Sequence, residues 1–588
     1  MKNTKFLLIF ICSFLLKTGL NATSEKQFNT QSEKYHVYLK NKKGVDFNPY
    51  TFFHLNAINR RLKEGLPLSD STDFPLNTSY KEIIRNLTDS ITNESRWFNM
   101  LTVYTSKTNA KLIGELTFVL KMEGSSLISE SHFLSKENSS EYLNGTSKNN
   151  HYVPLLERVG RGKISVFRSA MNDLSTLKSG EQKLLEAQTS RLGGTFFRNA
   201  GLNGKGVIIA VFDAGFPSVD KLDAFKHLVQ NNQILNTFDF VKKKKDVYDF
   251  GVHGTMVLSC IAGIYEGVQM GLASGASFLL ARTEYPKQEP ESEEENWLAA
   301  AEWADKEGAD VINSSLGYTY HRYFYENMDG KTSLVAKAAN MAARKGILVV
   351  NAAGNDGDSK WHFINTPADA DSVLAVGGTN PYSDYKLDFS SFGPTKDSRI
   401  KPNVCAFGIA IGQGKKNIMA VPGTSFASPL VAGFAACVKQ LYPELNNMEL
   451  FHEIEKSGHL YPYFDYGHGY GIPQAEYFIN KRNKKTVDAT FKIVKDTTEI
   501  KLFLRKDILK NSKHPLNLYF HIQENNGFLR NYGVMVIKYH LVGNDSLQIA
   551  EIETGIFDSK EIIIPENYFP AEGEKLRIHF EGYTEEIY

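Results

Sequence analysis

Apolar residues along this chain follow three successive patterns. Between about residues 35 and 122, short alternating runs mix with helical spacing. Tyr35-His36-Val37-Tyr38-Leu39 alternates as a strand does, and after Asn48-Pro49 the residues Phe52, Phe53, Leu55, Ile58 and Leu62 recur near helical spacing. Residues 97–103 and 118–122 read as further strands and 107–116 as a short helix, which predicts a small α+β unit with its helices on one face of a sheet. From about 207 the strands become continuous apolar runs, at 207–212, 277–281, 310–314, 347–351 and 373–376. Between and after them come helical stretches at 253–264, 297–307, 334–344 and 425–441. That alternation predicts a doubly wound parallel α/β sheet covered on both sides. After Lys484 short alternating strands return, at 490–494, 499–504, 518–522, 534–540 and 576–580. Turn signals at Asn525-Asn526-Gly527 and Gly543-Asn544 punctuate them, so an all-β, sandwich-like domain closes the chain.

The amino end adds a compartment. A basic start, Met1 to Lys5, precedes an almost wholly apolar stretch at 6–16 and small or polar residues at 19–22, the layout of a secretory signal peptide. Its core is too short to span a bilayer comfortably, and no later run is long enough, so no transmembrane segment is expected once the signal is removed. The formal net charge of +1 gives no reason to expect nucleic acid or an acidic membrane surface as partner. Beyond Cys12 the chain keeps Cys260, Cys405 and Cys437. An odd number leaves at least one unpaired, and their small apolar neighbours predict buried packing. No Cys/His cluster has zinc spacing.

Candidate chemistry centres on Gly423-Thr424-Ser425-Phe426-Ala427-Ser428-Pro429, which ends a loop and opens the helix at 425–441. A serine there is ordinarily an N-cap, with Pro429 near the first turn, where a missing N–H costs least. It is also a nucleophile placed beside unpaired N–H groups that favour an oxyanion. Such a nucleophile needs a base and an orienting carboxylate. Upstream, the strand at 207–212 delivers Asp213-Ala214-Gly215, and His253-Gly254-Thr255-Met256 opens a helix. Ser315-Leu316-Gly317 follows another strand, and Gly354-Asn355 puts a side-chain amide on a tight loop.

With these motifs in the order Asp…His…amide…Ser, the chain resembles the subtilisin-like serine peptidases (subtilases, the S8 family) of the secreted bacterial type, over about residues 195–480. The resemblance implies a serine endopeptidase in which Asp213 orients His253, His253 activates Ser425, and the Asn355 amide binds the oxyanion. It implies that Ser315, Leu316 and Gly317 pair with an extended substrate, and that Ala352, Ala353 and Gly354, with Asn365 at the far wall, line the first side-chain pocket. It further implies polypeptide substrates, chemistry that needs no cofactor, and an α+β unit that is a propeptide acting as an intramolecular inhibitor. The location implied is secreted, extracellular, cell-surface or periplasmic. The domains then run 1–22 signal peptide, 23–125 propeptide-like domain, 126–190 linker and processing region, 191–482 peptidase domain and 483–588 C-terminal β domain. Two positions depart from the family pattern: Ala214 replaces Ser or Thr, and Met256 stands where a second His is frequent.

The run Glu289, Glu291, Glu293, Glu294 and Glu295 reads three ways: a solvated loop, a cleft wall for basic substrate residues, or a calcium site. Asp356, Asp358, Asp369 and Asp371 offer further ligands for a structural calcium, and no metal ligand is assigned. Two other functions compete. A catalytically inactive peptidase fold serving as a binding or adhesion module would ordinarily have lost a triad group. An esterase elbow needs Gly-x-Ser-x-Gly, and here Ala427 replaces the second glycine.

Overall fold

The computed structural model describes residues 32–124 and 180–588, apart from 287–288, 320–321, 483–486, 497, 513, 541–546 and 550–560. The expected signal peptide and most of the expected processing region lie outside the described residues. The amino-terminal elements are β1 (Glu33–Leu39), α1 (Pro49–Phe52), α2 (Leu55–Lys63), α3 (Thr78–Arg85), β2 (Ser90–Ser95), β3 (Met100–Thr105), α4 (Lys107–Gly114) and β4 (Val119–Gly124). The four strands form a sheet in the order β2-β3-β1-β4. Val37, Leu101, Val103, Ile84 and Ile113 make its core. The strand expected from residue 97 starts only at Met100, because Asn99 takes a left-handed turn conformation at φ 49°. The helical stretch after Asn48 is two helices, since Asn48 caps one and His54, accepting from Asn56 N–H, caps the next. The chain divides into two compact units, and the amino-terminal elements are shared between them. Asp46–Pro75 and Ser95–Trp97 belong with the peptidase body, and the remaining amino-terminal residues form the other unit.

The body contains helices α5 (Gly180–Ser190), α6 (Gly194–Asn199) and α7 (His253–Ala262), α8 (Ser292–Glu307) and α9 (Leu334–Arg344), α10 (Thr424–Leu441) and α11 (Asn447–Lys456). Its strands are β5 (Ile208–Asp213), β6 (Ile234–Asp239), β7 (Ser277–Arg282), β8 (Val311–Ser314), β9 (Leu348–Ala352), β10 (Val373–Thr379) and β11 (Val404–Phe407). They form one parallel sheet in the order β11-β10-β9-β8-β5-β7-β6. Every residue of β5 is buried, as a strand covered on both faces requires. Beside β5 the strand order reverses, with β7 and β6 on one side and β8 onward on the other. In such sheets the crevice beyond the carboxyl ends at the reversal collects reactive groups.

α10 crosses the sheet buried from Thr424 to Lys439. Pro429 is inside this helix, its sixth residue, just beyond the first turn. A proline there cannot donate to the carbonyl four residues back, that of Ser425. The Ser315 hydroxyl takes up that carbonyl instead, at 2.9 Å.

Among the described residues, the carboxyl-terminal region holds two antiparallel sheets, of three and five strands, around a core that includes Leu502, Leu518, Phe520, Leu576 and Ile578. It packs on the body through Leu460, Tyr463, Tyr519 and Val534, with Asn517 donating to Ser383 O at 2.6 Å. Cys260, Cys405 and Cys437 are free and buried. Burial pushes the Cys260 thiol up to about 12 and the other two thiols upward as well. Among the described residues, no helix is long and apolar enough to cross a membrane.

Candidate active site

Asp213 ends β5 and His253 begins α7, and the two meet because residue 254 is glycine. A Cβ at Gly254 would stand 2.3 Å from Gly215 O and 2.9 Å from Asp213 Cβ. His253 Nδ1 lies 2.9 Å from each Asp213 carboxylate oxygen. The carboxylate is 2 % exposed and also accepts from Ala214 N–H at 2.7 Å. With Nδ1 donating to a carboxylate, Nε2 is left as the acceptor. Burial lowers the imidazole's basicity, but the charge of Asp213 and its hydrogen bond outweigh that, so the group is raised above its ordinary 6.5. On its other side the ring packs against Phe426, with centroids 5.4 Å apart.

Phe426 follows Ser425, which stands in the first turn of α10. The Ser425 hydroxyl donates to Ser315 O at 3.1 Å, so Ser315 and Ser425 bond each other reciprocally, hydroxyl to carbonyl in both directions. Asn355 is oriented from the same helix end. Its Oδ1 accepts from Thr424 N–H at 2.8 Å and from the Thr424 hydroxyl at 3.0 Å. That fixes which way the amide faces and leaves its NH₂ turned away from Thr424, on an exposed side chain. Thr424 is a positioning residue that sequence reasoning passed over, although it stands inside the motif that drew attention to Ser425.

Ser315, Leu316 and Gly317 follow the end of β8, and Tyr318 bridges Thr366 in antiparallel pairing. Asn365 lies between this segment and the loop after β9. A Cβ on Gly317 would meet Asn365 Cβ at 2.8 Å, and one on Gly354 would meet Asn365 Oδ1 at 2.6 Å. Asn365 donates to Asp356 at 3.0 Å. Asn365 thus packs closely against both Gly317 and Gly354. Glu284, also unremarked in the sequence, accepts from the Tyr318 hydroxyl at 3.1 Å. Burial, then the charges of Glu293 and Asp213, push its carboxyl well above the usual range.

The acidic run is only partly solvated: Glu289 is exposed and Glu291 half-buried, but the last three glutamates are not. Glu293, Glu294 and Glu295 form the first turn of α8 and are 1 %, 2 % and 3 % exposed. Carboxylates are favoured at that end of a helix. Glu294 accepts from Arg322 at 3.0 Å and from the Tyr323 hydroxyl at 2.7 Å, and Glu293 accepts from Tyr285 N–H at 2.8 Å. The aspartates weighed as calcium ligands are dispersed as well: Asp369 accepts from Gly330 N–H, Asp371 pairs with Arg399, and Asp356 takes Asn365. Among the described residues, no group of three or more His, Cys, Asp or Glu side chains is placed to hold a metal ion.

The chain is similar to known proteins to different extents. The Subtilase family matches residues 204–471, and the Peptidase S8 propeptide domain of Bacteroidota matches residues 34–141. Subtilisin NAT of Bacillus subtilis subsp. natto is 30% identical over 287 residues, which is 48% of this chain and 68% of that protein. Subtilisin BL of Lederbergia lenta is 29% identical over 269 residues, 46% of this chain and 89% of that protein. Minor extracellular protease Epr of Bacillus subtilis (strain 168) is 29% identical over 259 residues, 44% of this chain but 36% of that longer protein. Neither family match reaches the carboxyl-terminal sheets.

Proposed function

This chain belongs to the subtilase family of serine peptidases, and from that premise we propose that it is a secreted endopeptidase using Asp213, His253 and Ser425, with Asn355 in the oxyanion hole. The observation that carries the reading is the two-oxygen hold of Asp213 on His253 Nδ1, which presents Nε2 as the base. His253 takes the Ser425 proton as Oγ attacks the scissile carbonyl, then returns it to the leaving amine. The Asn355 NH₂ and the Ser425 N–H bind the oxygen as it becomes negative. Subtilases need no cofactor, and each of these steps is supplied by the chain itself.

An extended polypeptide would add as a strand to Ser315-Leu316-Gly317, so the main chain gives affinity and side-chain recesses give choice. Ala353, Gly354 and Asn365 would line the first side-chain pocket, and Asn365, close against Gly317 and Gly354, would limit its depth. It would favour small or medium side chains before the cut bond. The propeptide domain would block the same cleft until it is cut away. Secretion follows from the apolar amino end together with the likeness to an extracellular protease. An inactive binding module has no missing group to recommend it, since base, carboxylate, hydroxyl and amide are all retained.

The test is peptide hydrolysis by the purified, processed protein. Asn355→Ala should lower kcat by about 10²–10³ while KM changes little, because the oxyanion exists chiefly in the transition state; the magnitude is that measured in subtilisin itself. A pure KM effect would remove Asn355 from that role. The pH profile gives a second check. A protonated His253 cannot act as base, so kcat/KM should fall as pH drops through the raised pKa. The midpoint of the acid limb should therefore lie above 6.5, the imidazole's ordinary value. A midpoint below it would contradict the hold of Asp213.

A further inference from the structure

Residues 46–75 are joined through the chain to the propeptide sheet, yet they belong to the peptidase body. Their anchor is the carboxyl end of α8. A helix ends with unpaired carbonyls and a partial negative charge, which cations and N–H donors satisfy. Here Arg60 donates to Ala309 O at 2.7 Å, Arg96 to Glu302 O at 2.8 Å, and His54 N–H to Lys306 O at 2.9 Å.

Asp305, wholly buried, is surrounded by three guanidinium groups. Arg61 reaches both of its oxygens at 3.0 Å, Arg96 reaches one at 2.7 Å, and Arg60 bonds it as well. Buried Asp73 closes the network with Arg61 and Lys345. Charges taken out of water this completely specify one partner, because removing any of them strands another. Two glycines shape the seat. Gly308 and Gly346 end α8 and α9 at φ 94° and 86°; a Cβ on the first would stand 2.5 Å from Ala57 N and on the second 2.9 Å from Glu64 Cγ. Glu64 itself accepts from Lys439 on α10 at 2.7 Å and from Asn447 N–H at 2.8 Å.

This seat is at the wrong end of the sheet to touch substrate. Gly308 and Gly346 lead into the amino ends of β8 and β9, whereas Ser315 and Gly354 leave their carboxyl ends. We propose that Asp46–Pro75, with Ser95–Trp97, is a latch that keeps the amino-terminal segment on the peptidase body after the chain is cut, independently of the substrate cleft. The mature enzyme is then a two-chain particle, and clearing the cleft does not by itself release the cut segment. The inference rests on the reading above that the chain is cut between the propeptide and the body.

The test separates the latch from self-cutting. A site-specific protease sequence is inserted in the 126–170 stretch of the full chain carrying Ser425→Ala, and the purified protein is nicked with the added protease. Both fragments should elute as one particle, and should remain together in about 1 M salt, where the Debye length is about 3 Å and only buried pairs persist. Arg61→Met with Arg96→Met should speed dissociation at least about thirtyfold, as should the milder Glu64→Ala, which leaves the Asp305 network whole. Circular dichroism shows that each variant is folded before nicking. Fragments that separate in the parent, or dissociation rates that these variants leave unchanged, would overturn the latch. If instead the wild type is never found cut, the processing reading fails and the nicked-chain result still reports on the latch.

Discussion

Ser425→Ala should lower kcat by about six orders of magnitude, the order found when subtilisin loses its serine. The side chain is nearly buried, and among the described residues its hydroxyl donates to Ser315 O, a bond α10 does not depend on, so alanine leaves α10 in place. The reaction loses its nucleophile and keeps only the binding and oxyanion contributions. The same variant should accumulate at the uncut length, because the cut that matures the chain would be its own. Hydrolysis assays, labelling with a serine-directed phosphonate and the size of the secreted protein read these outcomes together. Stoichiometric labelling of the variant at the active site would refute the assignment of Ser425.

Asp213→Asn should cost about 10⁴ in kcat, the size of the loss in the general triad case. The two carboxylate oxygens at 2.9 Å require Nδ1 to carry the proton. An amide can present its NH₂ to Nδ1, which turns the base nitrogen to the wrong side. The variant also removes both influences that raise His253, leaving burial, which lowers it. Its residual activity should therefore show an acid limb displaced to lower pH than the wild type's. An unchanged limb would mean that some other group sets the basicity of His253.

Which features were legible in the sequence follows from the range of their causes. Asp213, His253, Asn355 and Ser425 stood out because each sits in a short motif whose glycines are required by close packing or, at Gly423, by a φ of 140°. Gly254 is the plain case, since a side chain there would strike Asp213 and Gly215. The α/β alternation was legible because a sheet buried on both faces needs unbroken apolar strands, as β5 is. β6, with Asn236, Thr237 and Asp239 among its six residues and only Asp239 fully buried, gave no such signal. The acidic run misled for a different reason. Its burial depends on Arg322 and Tyr323, about thirty residues on, and charge counting cannot see a partner at that range. Arg60 and Arg61 were hidden in the same way, since their carboxylate is Asp305, more than two hundred residues away. The consequence of Pro429 was equally remote, because the hydroxyl that replaces its missing donor comes from Ser315.

The position of β5 in the sheet also sets a timetable. Its neighbours are β7 and β8, so Ile209 pairs with Phe278 on one side and Val311 on the other. At a synthesis rate of about 5–20 residues per second, the second neighbour leaves the ribosome roughly 5–20 s after β5 itself. For that interval a strand apolar in all but its last residue has an open edge, and an open apolar edge is where nascent chains stick to one another. Only residues already made can guard it from within the chain, and those lie on its amino side. A propeptide at the other end of the molecule would arrive after the danger had passed.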